Sequence, residues 1–182
     1  VSIPESVKLA VEERVARLGE GAREVLTQAS VVGLEFSFPV LLALTSAKED
    51  DLVTQADNGV AARLLVDRSV PGEERYAFSD DQIQEVLYGS ITPSRKRRMH
   101  LRAGQALENI YADRLDAHLE GLARHFVEGN DPEKGADYSS RAGLKADRAY
   151  VWSRSIPYYR TALELWEELG GHLQSGPGSA KA

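Results

Sequence analysis

The sequence predicts a mainly α-helical protein in two parts, the first closed by a small β-hairpin. Three observations lead there. Apolar residues recur at helical spacing along most of the 182 residues. Strand signals are confined to Leu64-Leu65-Val66 and Tyr76-Ala-Phe78, on either side of a Pro71-Gly72 turn. Beyond Thr92-Pro93 the chain carries helix signals alone, broken by caps at Gly129-Asn130 and Asp131-Pro132.

In the first part, Ser2-Ile-Pro-Glu-Ser introduces a helix along which Val7, Val11, Val15 and Leu18 recur until Gly19. A second helix follows Gly19-Glu-Gly21, buries Val25, Leu26 and Ala29, and closes at Gly33. The Gly19-Glu-Gly21 turn is not a phosphate loop, since no strand precedes it and no Gly-Lys-Ser/Thr follows. Phe36, Phe38, Leu41, Leu42 and Leu44 make a short apolar third helix. Ser46 is placed to cap the fourth, with Glu49 at capping-box spacing and Leu52, Val53, Ala56 and Val60 facing the core. The hairpin comes next. Three helices and a hairpin in this order describe a winged helix-turn-helix over residues 3–91.

The hairpin runs into the most informative stretch of the chain. Ser79 or Asp80 caps a helix carrying Ile83, Val86, Leu87 and Ile91 along one side. Thr92-Pro93 stops that helix and starts another, because proline in a first turn lacks only a donor that has no partner there. The new helix opens on Arg95-Lys96-Arg97-Arg98, with His100 and Arg102 beyond it. Consecutive helical residues point around the cylinder, so this run is expected as a solvated helix start, its cations paired with Asp80, Asp81 or Glu85. Its functional alternatives are a contact with an anion or a partner, or with nucleic acid.

Residues 92–169 are expected as a helical region. Ala103, Ala106, Leu107, Ile110 and Tyr111 continue the first helix until about Asp113. Leu115, Leu119, Leu122, Ala123 and Phe126 mark the next. The phrase from Leu122 to Tyr138 resembles a tetratricopeptide helix pair, with small residues that allow close approach. Lys134, Tyr138 and Ala142 recur as Arg154, Tyr158 and Ala162 at an offset of 20, short of the usual ~34, which predicts short or irregular helices. Ser153 or Ser155 caps the last helix, with Pro157 in its first turn and Tyr159, Ala162, Leu163 and Trp166 on its packing side. Phe126, Tyr138, Tyr158, Tyr159 and Trp166 are the candidates for repeat packing or a partner surface. An array of about two units leaves Trp166 and Leu169 partly uncovered, which favours self-association. Residues 170–182, rich in Gly, Ser, Pro and Ala, are expected as a flexible tail.

The order Phe78, Asp80-Asp81, Glu85, Tyr88, Arg95 to Arg98 and Met99-His100 resembles the hinge between winged helix and helical repeats in STAND-class signalling ATPases. These are multidomain regulators that often carry a transcriptional, cyclase or kinase effector. The resemblance covers most of residues 3–169 and implies ATP or ADP in an upstream module, with no cofactor in this segment. It assigns nucleotide-state sensing to Asp80 and Asp81, coupling to Glu85 and Tyr88, and the anion or partner contact of the basic run to the place where its helix meets that module. One position departs: Asp80 stands where many relatives have a histidine that contacts the ADP phosphate, and a carboxylate repels phosphate.

Composition narrows the function classes. There is no cysteine, so neither a disulfide framework nor a thiolate metal site exists, in keeping with a cytoplasmic setting. The start lacks the basic and apolar regions of a signal peptide, and no apolar run suffices to cross a bilayer. A first residue other than methionine leads us to expect a piece of a longer protein. The net charge of −6 and an acidic fourth helix, with Glu49, Asp50, Asp51 and Asp57 against Lys48 and Arg63, argue against nucleic acid as a partner. The wing sets Arg68 and Arg75 against Asp67, Glu73 and Glu74.

No Walker A loop, Gly-x-Ser-x-Gly elbow or His-Glu-x-x-His motif appears. His118 and His125 stand seven residues apart, roughly 10 Å along a helix, too far to share a metal unaided. The expectation is a non-catalytic, metal-free regulatory segment. It would couple an upstream nucleotide-binding module to a protein partner on the helical repeats. The alternatives are a DNA-binding transcriptional regulator working through the winged helix, or a plain protein-interaction scaffold.

Overall fold

The computed structural model describes residues 3–45 and 47–174, with side chains as far as residue 170. Among these residues the protein is mainly helical, with nine α-helices and one three-stranded antiparallel sheet. Its chain forms two compact units, one reaching Ala106 and the other starting at Leu107.

The first unit opens with α1 (Glu5–Ala16) and α2 (Glu20–Val32). Gly19 joins them at φ 88°, a backbone state that side chains with a Cβ rarely adopt. Then come β1 (Glu35–Ser37), α3 (Phe38–Leu44), α4 (Glu49–Ala61), β2 (Leu65–Asp67) and β3 (Arg75–Phe78). β3 is the central strand: Phe36 of β1 faces Tyr76 on one side, and Leu65 of β2 faces Phe78 on the other. Phe36 is therefore a strand residue, correcting its expected place in the third helix. Its ring packs 5.8 Å from that of Phe78 and 6.2 Å from that of Tyr76. A strand of three residues is too short to leave an alternation in the sequence. Leu26, Leu41, Leu52 and Leu64 are fully buried at the centre of this unit.

The expected cap of α4, Ser46, lies outside the described residues, and Lys48 holds the cap position without a side-chain bond. Asp80 caps α5 (Asp81–Gly89) as anticipated, its carboxylate accepting from the Gln82 N–H at 2.8 Å. α5 buries Ile83, Val86 and Leu87, and the Gln84 amide donates to the Ser30 carbonyl of α2 at 2.7 Å. Met99 of α6 (Pro93–Ile110) clusters with Val31 and Ile91. The first turns of α6 thus belong to the first unit, whereas the sequence reading divides the chain at 91/92.

The second unit holds the end of α6, a 3-10 turn at Leu115–Ala117, α7 (Leu119–Glu128), α8 (Pro132–Arg148) and α9 (Trp152–Gln174). Phe126 is fully buried and stacks on Tyr138 with ring centroids 5.5 Å apart. Small residues on α8, among them Gly135, Ala136, Ser139, Ala142 and Gly143, are buried. A Cβ on Gly143 would come within 2.9 Å of the Tyr159 ring, so glycine sets that approach.

Four expectations change here. α8 and α9 run 17 and 23 residues, neither short nor irregular. The offset of 20 is simply the distance from Pro132 to Trp152, one helix start to the next. Pro157 sits inside α9 beyond its first turn, where it forfeits a bond to the Ser153 carbonyl. Ala162 is buried and Tyr159 packs against Gly143, as the expected packing side has them, and Trp166 is 47% exposed, as the uncovered end of the array leads one to expect. Leu163, however, is 57% exposed and does not belong to that side. α9 also continues through Gly170 to Gln174, shortening the expected tail to residues outside the description.

Three helices end alike. After α4, α7 and α8 the backbone enters the left-handed region at Arg63, Asn130 and Tyr150, with φ 56°, 59° and 58°. In each case the next N–H reaches back five residues: Leu64 to Gly59, Asp131 to Phe126, Val151 to Ala146. This is the Schellman closure, usually built on glycine.

Candidate functional site

The candidate residues of the first unit gather at α5 and the start of α6. Asp80 and Asp81 are exposed at the N-terminal end of α5. The Asp80 carboxylate is engaged by the Gln82 N–H, and Asp80 borders a concavity of about 390 Å³ lined also by Val7, Val11, Arg14 and Ile83. Arg14 does not answer Asp80 there. Its guanidinium donates to the carbonyls of Ala62 and Arg63 at 3.3 and 3.0 Å. Glu85 is exposed, and Tyr88 is half-buried two turns further along α5, about 12 Å from Asp80 along the helix axis.

Tyr88 is joined to α6. Its hydroxyl lies 3.0 Å from His100 Nε2, the two rings meet edge to face at 5.8 Å, and Lys96 Nζ stands 4.0 Å from the Tyr88 centroid. His100 is 1% exposed, so it belongs to the core and not to the basic surface. The sequence signal for this was available in retrospect: His100 follows the buried Met99 and precedes Ala103 by three, on the apolar side of the helix.

The cations do not pair with Asp80, Asp81 or Glu85. Arg95 instead meets Glu24 of α2 at 2.5 Å, and Arg102 reaches the Ala43 carbonyl at 3.5 Å. Arg95, Arg98 and Arg102 are spaced three and four apart, one helical face, and together with Gln28, Leu44 and Met99 they line a cavity of about 270 Å³. Arg97 is exposed outside that lining. Burial pushes the Glu24 carboxyl up, but hydrogen bonds from Gln28 and Arg95, with the Arg95 charge, outweigh it and hold the group below its usual value. Glu24 and Gln28 were missed in the sequence. They are one turn apart on α2, but nothing local says which distant helix they face.

In the second unit, Phe126 and Tyr138 are core residues. The Tyr138 hydroxyl donates to Glu108 at 2.6 Å, and Lys134 bonds the other Glu108 oxygen at 2.5 Å while lying 4.8 Å from the Phe126 ring centroid. Tyr158 and Tyr159 are half-buried on α9, and Trp166 is the exposed member of the set. His125 is buried with Arg124 Nη2 3.2 Å from its ring, and His118 stacks on Tyr111 at 3.8 Å. No group of three or more metal-ligating side chains occurs among the described residues. No described helix is long and apolar enough to cross a membrane.

The chain is 33% identical over 156 residues to an uncharacterized protein of Rhizobium meliloti (strain 1021). That match takes in 85% of this chain and spans about 15% of the relative's length. No family model and no solved structure matches.

Proposed function

We propose that this chain is a non-catalytic regulatory segment of a multidomain signalling ATPase, a winged helix followed by tetratricopeptide-like helices. The observation that carries this reading is the element order in the first unit. Helix, strand, two helices and a returning pair of strands, α2 to β3, have the arrangement a winged helix requires, with a capped helix and basic helix directly after it. Consecutive packed helices with a small-residue face, α7 to α9, suit a repeat region. The relative adds weight, because there the corresponding segment is a minor part of a much longer chain.

In this mechanism the winged helix docks on an upstream nucleotide-binding module in one nucleotide state, and the helical repeats receive a protein signal that biases docking. Asp80 and Asp81 face the nucleotide module, and Glu85 with Tyr88 transmits the bias. The setting is cytoplasmic. The acidic first turn of α4, Glu49, Asp50 and Asp51, favours a protein surface over a duplex.

The test begins with the full-length open reading frame, which should carry a Gly-x-x-x-x-Gly-Lys-Ser/Thr loop before this segment. In that full-length protein, Tyr88→Phe and Asp80→Ala should change the rate of ADP release. A reading frame without the loop, or ADP release unaffected by both substitutions, sinks the proposal and leaves a plain interaction scaffold.

A further inference from the structure

The protein as a whole is acidic, at −6, yet the segment from Pro93 to Arg102 holds five Lys and Arg residues and no carboxylate. Such a concentration of like charge is costly unless each cation is solvated or answered. Arg95 is answered by Glu24, and Lys96 by the face of the Tyr88 ring. Arg102 has only a carbonyl at 3.5 Å, and Arg98 makes no hydrogen bond or ion pair among the described residues. Two uncompensated guanidinium groups therefore share one cavity of about 270 Å³ with Arg95, whose own charge is answered by Glu24 outside that lining.

The rest of the lining is informative. Leu44 and Met99 give the cavity an apolar side. Gln28 donates its amide to Glu24 at 2.6 Å, which fixes the amide's orientation, and its Oε1 is buried without a partner among the described residues. A ligand suited to this lining carries about two negative charges for Arg98 and Arg102 and oxygens that match a guanidinium fork.

We propose that the cavity lined by Arg95, Arg98, Arg102 and Gln28 binds the phosphate group of a small phosphomonoester. The inference stands apart from the signalling reading: it needs no nucleotide module and survives if that module is absent. Arg98 and Arg102 hold the phosphate, and Arg95 sits at its edge with its position set by Glu24.

The experiment is a calorimetric titration of the protein with inorganic phosphate and with glycerol 3-phosphate at low ionic strength, repeated on Arg98→Ala, Arg98→Lys and Arg97→Ala. Arg98 is exposed and unpaired among the described residues, so its variants keep the fold, as circular dichroism checks directly. One saturable site is expected. Arg98→Ala weakens it about tenfold or more, the scale of a charged hydrogen bond. Arg98→Lys lies between, and Arg97→Ala stays within about twofold of the parent. Tighter binding of glycerol 3-phosphate than of phosphate identifies an organic phosphate as the ligand, and equal binding identifies free phosphate. No saturable binding of either overturns the proposal. So does equal weakening by Arg97→Ala and Arg98→Ala, or a short DNA duplex that displaces phosphate, either of which makes the run a diffuse basic face.

Discussion

Tyr150 carries the sharpest conflict between a side chain and its backbone. Its φ of 58° suits glycine, and the residue is 81% exposed, so little packing offsets the strain. Left-handed backbone costs a residue with a Cβ about 1–2 kcal/mol, part of which returns as lost chain entropy when glycine is introduced. Tyr150→Gly should therefore stabilise the protein by about 0.5–1 kcal/mol in a denaturant titration. None of this was legible beforehand, because tyrosine is a poor marker of a helix end. Asn130, at the equivalent place after α7, was read correctly, since Gly-Asn before Asp-Pro is a strong local signal. His100 shows the opposite failure: a charged neighbourhood disguised a core residue that a hydrogen bond to the half-buried Tyr88 makes acceptable.

The tyrosines also set the behaviour at high pH. Burial, then the hydrogen bond to Glu74, raises the Tyr76 phenol above its ordinary value, and burial with the bond to Glu108 does the same for Tyr138. A raised folded value means the neutral phenol is preferred in the folded protein. Its stabilisation is complete below the unfolded value of about 10 and declines as pH rises above it. Stability measured by urea unfolding should thus fall steeply above about pH 10. Tyr138→Phe should flatten part of that decline, and a slope identical to the parent's would show that Tyr138 does not contribute.

At the scale of elements, local signals placed several boundaries but not every cap, and they failed for faces. Lys48 holds the α4 cap position, and Ser153 and Ser155 lie inside α9. Gly19, Gly33, Asp80 and Asp131-Pro132 each marked a boundary through backbone chemistry that acts within a few residues. The packing side of α9 needed knowledge of α8. Gly135 and Gly143 line the face that α9 approaches, with Leu165 and Tyr159 above them, and Leu163 is left facing outward. Alanine at position 143 gains about 1 kcal/mol of helix propensity but drives a methyl into the Tyr159 ring. Gly143→Ala should destabilise the protein by about 1–2 kcal/mol net in thermal or chemical unfolding. Stabilisation would mean that Tyr159 swings aside freely. β1 belongs with the unpredictable elements too, since its three residues acquire strand character only by pairing with β3.

At the scale of the whole chain, the mainly helical class was evident from periodicity, and the contacts divide the chain into two compact units at Ala106/Leu107. Caps placed the division at Thr92, where one helix gives way to the next, but Met99 shows that compactness follows burial and not the start of a helix. Placing Arg95, Arg98 and Arg102 on one cavity likewise required α2 and α3 to supply the opposite wall, through Gln28 and Leu44.

Both tryptophans, Trp152 and Trp166, lie on α9, 62% and 47% exposed, and the first unit has none. Intrinsic fluorescence excited at the indole band is consequently a private reporter of the second unit, red-shifted and open to collisional quenchers even in the native protein. Melting followed by emission tracks residues from Leu107 onward, while far-ultraviolet dichroism sums both units. Stabilisation of the first unit by a phosphate ester should move the dichroic transition and leave the emission trace where it was, unless the two units unfold as one.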